Sequence, residues 1–189
     1  MADSTHLHGQ VSKQLQAVHA LKGGALRMFD PMLAAVAEAR WEPRMAEVAD
    51  LLGKMHGVFS AHRDETASHA EALTSRLREL GAGPARPKLA GMSAGATMRA
   101  RLGGIGGQNH GANARDAFVF EHLEIATLHL LEQLAERAQD ERTAALARDC
   151  RAADEEMAFT INRNWVNVTS LTLASRDLPT LRPPEQDDA

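Results

Sequence analysis

The sequence predicts an all-α protein, a four-helix bundle with one long crossover, and three observations carry that prediction. Ala, Leu, Glu and Arg dominate, while the aromatic residues are five Phe and two Trp with no Tyr, a composition that favours helices over sheets. Apolar residues recur at intervals of three and four along four segments, the period of a helix with one buried face. A glycine-rich stretch separates the second segment from the third, so two helices, a long connection and two more helices follow in order.

The first helix starts at Val11, after a polar leader over 1–10 without period that is expected to fray. Val11, Leu15, Val18 and Leu21, then Leu26, Phe29, Leu33 and Val36, give its face. Gly23-Gly24 and Pro31 interrupt it, and Pro31 either kinks one helix or opens a second segment. A break at Trp41-Glu42-Pro43 leads into the second helix, about 44–80, whose stripe is Val48, Leu52, Met55, Phe59, His62, Thr66, His69, Leu73 and Leu77. Gly81 with Pro84 beyond it is a stop signal. The crossover from Ala85 to Gly111 is rich in small residues and leaves room for a short helix at 89–102.

Asn113 is a plausible N-cap for the third helix, which is apolar nearly all round from Phe118 to Leu134. The fourth follows a charged turn at 137–142 and carries Leu146, Cys150, Ala153, Met157, Ile161 and Trp165 in register. Its continuation through Val168 and Leu171 is long enough to project or to support a dimer contact. The chain thus reads as a leader over 1–10, a bundle over 11–176 and an extended or disordered tail over 177–189.

At 189 residues the chain amounts to about one domain. Its 21 basic and 25 acidic residues give a net charge of -4, which offers no polybasic surface for nucleic acid or anionic lipid. No apolar run approaches the roughly eighteen residues that span a bilayer. A single cysteine, Cys150, rules out an internal disulfide and a paired-cysteine electron donor. A cytoplasmic protein is the expectation, and the lack of Tyr excludes a tyrosyl radical.

The informative residues are polar ones at positions where the period demands apolar ones, because burying such a group unpartnered costs about 1–3 kcal/mol. On the second helix His62 and His69 lie inside the stripe and Glu65 near its edge, a ladder on neighbouring turns. Imidazole and carboxylate so spaced suit a divalent metal; a buried hydrogen-bond ladder, or histidines filling space at the bundle's end, is the other reading. On the third helix Glu121 and Glu124 are one turn apart among apolar residues and resist joint ionisation unless a cation neutralises them. Asp30, just before Pro31, is either a ligand or an N-cap, and on the fourth helix Asp154 sits nearest the inward face.

HRDETASH over 62–69, RLRELGAGPARPK, the segment with Gly91-Met92, and FEHLEIATLHLLEQLAE together resemble the YciE/YciF-type stress proteins of the ferritin-like superfamily over about 45–160. The resemblance implies an antiparallel four-helix bundle, often dimeric, with carboxylates like those of di-iron proteins. By motif position Glu65 matches the second-helix carboxylate, and Glu121 and Glu124 match those of the third. His69 replaces a frequent Gln, Asp30 falls near the first-helix glutamate, and the fourth-helix glutamate aligns near Ala153 or Asp154.

The ligand set implied is therefore His62, Glu65, His69, Glu121 and Glu124 with Asp30 and Asp154, holding a di-iron centre; manganese, a mononuclear site or a vestigial site remain alternatives. Its expected work is oxidase, ferroxidase or peroxide-handling chemistry under stress, with Phe59, Phe118 and Leu128 limiting water and an unidentified small-molecule oxidant or substrate as partner. The competing reading is a non-catalytic homodimer acting as a scaffold.

Overall fold

A computed structural model describes residues 2–84 and 110–180. Five α-helices and one 3-10 helix follow in order: α1 Ala2–Ala39, the 3-10 helix Pro43–Val48, α2 Ala49–Glu79, α3 His110–Arg137, α4 Glu141–Arg163 and α5 Trp165–Ala174. The expected short helix at 89–102 and the tail from 181 onward lie outside the described residues.

Helix α1 is continuous across Gly23-Gly24 and Pro31. Its buried face keeps a strict alternation of four and three (Val11, Leu15, Val18, Lys22, Ala25, Phe29, Met32, Val36), so packing outweighs the one hydrogen bond that Pro31 removes. Gly24 lets Phe120 pack close: a Cβ there would lie 3.3 Å from the ring, which would have to give by a few tenths of an ångström. The helix begins at Ala2, ahead of the first apolar position that predicts it, because propagating an existing helix is far easier than starting one.

Helix α3 is helical from His110, so Asn113 is a buried residue inside it and not its N-cap. Its outer face is also less enclosed than the apolar run suggests, with Val119 and Leu130 exposed. Helices α2, α3 and α5 close alike. Gly81, Gln139 and Asp177 take positive φ, and the next amide bonds back to the last turn, as in Ala82 N to Leu77 O and Leu178 N to Leu173 O.

Contacts fix the topology. Gln14 meets Thr127 and His19 meets Thr74; Arg76 meets Asp140 and Arg148 meets Glu132. Neighbouring helices are thus antiparallel, with α1 between α2 and α3, and α4 on the diagonal from α1. Beyond Arg163 the helix is interrupted at Asn164, and α5 closes the end of the bundle. Leu171 and Ala174 pack there on Val36, Met45, Val48 and Leu52, so the continuation through Val168 and Leu171 serves the chain's own core.

The core comes in layers. One cluster holds Val11, Leu15, Val18, Leu73, Leu77, Leu128, Leu131 and Cys150, and another holds Ala25, Phe29, Phe59, Ala117, Phe120 and Met157. Between them every one of the four long helices carries polar side chains at the same level. No helix among the described residues is long and apolar enough to cross a membrane.

Candidate metal centre

Lys22 of α1, His62 of α2, Glu121 and Glu124 of α3 and Asp154 of α4 are all buried, with the two glutamates, Lys22 and Asp154 at 0–1% exposure. The local reason is register: each sits one turn from an apolar anchor on its own helix, Val18 for Lys22, Phe59 for His62, Ala117 for Glu121, Phe120 for Glu124 and Cys150 for Asp154. Bundle packing therefore forces them inward.

His62 Nε2 stands 3.2 Å from Glu121 Oε1, yet neither atom has a hydrogen-bond partner; the two face each other without the alignment of a hydrogen bond. One ligand atom each from His62, Glu121 and Asp154 falls within 4.8 Å of the others. Both oxygens of Glu121, both of Glu124 and Oδ2 of Asp154 are buried and without a hydrogen-bond partner. Buried acceptors are rarely left so. Phe29 meets the His62 ring edge-on with centroids 5.5 Å apart and helps fix its plane.

Lys22 Nζ donates to Asp154 Oδ1 at 2.5 Å and lies 3.5 Å from Glu124 Oε1. Burial works to strip its proton, but Glu124 and Asp154 outweigh that and hold the ammonium well above its ordinary value. Burial, with the charge of Asp154 added, pushes Glu121 well above the usual carboxylate range against the pull of Lys22. Glu124 is raised in the same way by burial, and so is Asp154. His62 is lowered, by burial first. Three carboxylates share one ammonium, so full ionisation leaves surplus negative charge that a cation at His62, Glu121 and Asp154 would neutralise.

The structure thus brings together His62, Glu121, Glu124 and Asp154 and leaves the other expected residues apart. Glu65 is 52% exposed and reaches only the outer His62 Nδ1, at 3.8 Å. Asp30 is 58% exposed and paired with Arg63 Nε at 3.1 Å. His69 is buried, but its Nε2 faces the exposed Asp149 at 3.7 Å. Phe118 is only half-buried and stacks outward on His122, so Phe29 stands in its place beside Phe59 and Leu128.

A carboxylate-bridged pair of metals needs a carboxylate from α1 at this level and an inward one from α2. Lys22 and the outward Glu65 deny both, so the residues fit a single ion and not a pair. Lys22 is the residue that reading the sequence overlooks, although the alternation of α1 marks it: position 22 demands an apolar side chain. An open apolar cleft of about 100 Å³ lies elsewhere, walled by Met55, Val58, Phe59, Met157, Ile161 and Val168, and includes none of the cluster.

A family model described as Domain of unknown function (DUF892) matches residues 37–174. The fold is similar to that in the X-ray structure of Dps from Thermosynechococcus elongatus, with a TM-score of 0.66 and 18% identity over 86% of this chain and 94% of that one. At that identity the likeness speaks to the fold alone. No curated protein matches the chain.

Proposed function

The chain belongs to the Domain of unknown function (DUF892) family, and we propose that it is a ferritin-like metal-binding protein holding one divalent ion through His62, Glu121 and Asp154. The observation that carries this reading is the convergence of three buried ligand atoms within 4.8 Å from three helices, with buried carboxylate oxygens around them that accept no hydrogen bond. Imidazole with carboxylates suits Fe(II) or Mn(II). Bound iron would supply one-electron exchange with oxygen or peroxide, the chemistry of a stress role. Around it, His62 offers a neutral nitrogen, since burial keeps the ring deprotonated, and Phe29, Phe59 and Leu128 limit water.

The free, buried Cys150 fits a reducing cytoplasm. The exposed Val119 and Leu130 on the outer face of α3 support a homodimer, which light scattering checks. The second reading, a scaffold with a vestigial polar network, draws on Lys22, which already satisfies one oxygen of Asp154.

Anaerobic Fe(II) or Mn(II) titration with elemental analysis separates the two. Uptake of a single ion is expected, with a rise in Tm of about 5–10 °C when free metal is about 100 times Kd. Glu121→Gln with Asp154→Asn abolishes both. No uptake and an unmoved Tm in the unaltered protein support the scaffold.

A further inference from the structure

Resting on the single-ion reading above, we infer that the Lys22 ammonium is the second cation of this centre, occupying as part of the polypeptide the position a second metal ion would take. Lys22 leaves α1 at the level where a pair of ions would need a carboxylate. It crosses the bundle diagonal to reach Asp154 at 2.5 Å and Glu124 at 3.5 Å. A protonated lysine brings a fixed positive charge and no lone pair, so it repels an ion where a glutamate would bind one.

The division of ligands follows atom by atom. Asp154 is shared: Oδ1 accepts from Lys22, and Oδ2 is left without a partner. Glu124 faces Lys22, while Glu121 faces His62 Nε2. Three carboxylates are then matched by the ammonium and one divalent ion together, with His62 neutral. A second divalent ion would leave excess positive charge among side chains that are 0–1% exposed, where uncompensated charge is costly. The stoichiometry of the centre is therefore set by one residue of α1.

Mn(II) is the probe, read by elemental analysis and by electron paramagnetic resonance on the full chain. The unaltered protein takes up a single ion with the resolved hyperfine pattern of an isolated Mn(II). Lys22→Glu supplies the missing carboxylate, doubles the metal content and replaces that pattern with the spectrum of an exchange-coupled pair. Lys22→Gln, which removes the charge at nearly constant length, reads the same quantity should Lys22→Glu not fold. A second ion in either variant upholds the inference. A single isolated ion in the unaltered chain and in both variants overturns it while leaving metal binding intact, as does a coupled pair in the unaltered chain. Absence of any ion from all three sinks the metal-binding reading itself.

Discussion

Among the cation-carboxylate clusters that tie α4 to the rest of the bundle, the one at its start and the one at mid-bundle differ in how completely their atoms are used. At the start of α4, Arg76 donates to Asp140 at 2.6 Å, to Thr143 Oγ1 at 2.8 Å and to Glu79 at 2.8 Å. Asp140 in turn accepts from the Thr143 amide and hydroxyl at 3.0 and 2.6 Å, capping the helix as it anchors α2. In mid-bundle, Lys22 donates to Asp154 at 2.5 Å, but five carboxylate oxygens around it accept no hydrogen bond. Similar pairs at similar distances thus do different things. The first is a closed clasp, and the second keeps spare valence inside the protein, an arrangement that costs stability unless a cation is bound.

Substitutions sharpen that contrast in order of size. Lys22→Ala strands three buried carboxylates and is expected to lower the unfolding free energy by about 3–5 kcal/mol in metal-free protein, with saturating Mn(II) restoring much of the loss in urea titrations. An equal loss with and without Mn(II) would mean that the mid-bundle cluster is only another clasp.

Asp140→Ala removes a cap and a partner of Arg76 and is expected to cost about 0.5–2 kcal/mol, indifferent to metal. The two clusters also respond oppositely to acid. Partial burial opposes ionisation of Asp140, but the hydrogen bonds from Arg76 and Thr143 hold its carboxyl below the ordinary value. Its contribution is present above that ordinary value, 3.8, and is lost as pH falls through the folded one. Glu121 and Glu124 are raised above 4.5 by burial; their folded forms keep protons that the unfolded chain has released, so the metal-free protein loses stability as pH rises from 4.5 through the folded values. His62, lowered by burial, works the other way below 6.5 and is common to all the proteins compared. Urea unfolding across pH should show the falling slope flattened by Glu121→Gln with Glu124→Gln, and the acid loss flattened by Asp140→Asn.

The smallest effects belong to the exposed acids. Glu65→Ala and Asp30→Ala are expected to leave both Tm and metal content unchanged, since each carboxylate is more than half exposed and exposed ion pairs contribute little. Loss of the bound ion on Glu65→Ala would return that residue to the ligand set.

Much of this was legible in advance. His62, Glu121 and Asp154 declare themselves because each interrupts an apolar period that packing must bury. Glu65 misleads because it lies at the border of its stripe, where a few tens of degrees of helix rotation decide between core and solvent. Asp30 misleads for the related reason that Phe29 takes the inward position beside it. Lys22 hides among glycines whose local signal suggests a break, although the longer alternation passes straight through it.

Period and composition alone determined four amphipathic helices and the polar positions on their buried faces, because helical geometry assigns a face to every residue without reference to any partner. Which of those polar groups meet, that a lysine from the diagonal helix stands among three carboxylates, and that Asp154 divides its oxygens were decided only by assembly. Those facts depend on distances between segments more than a hundred residues apart, set by how the four faces pack, and no local rule in the chain contains them.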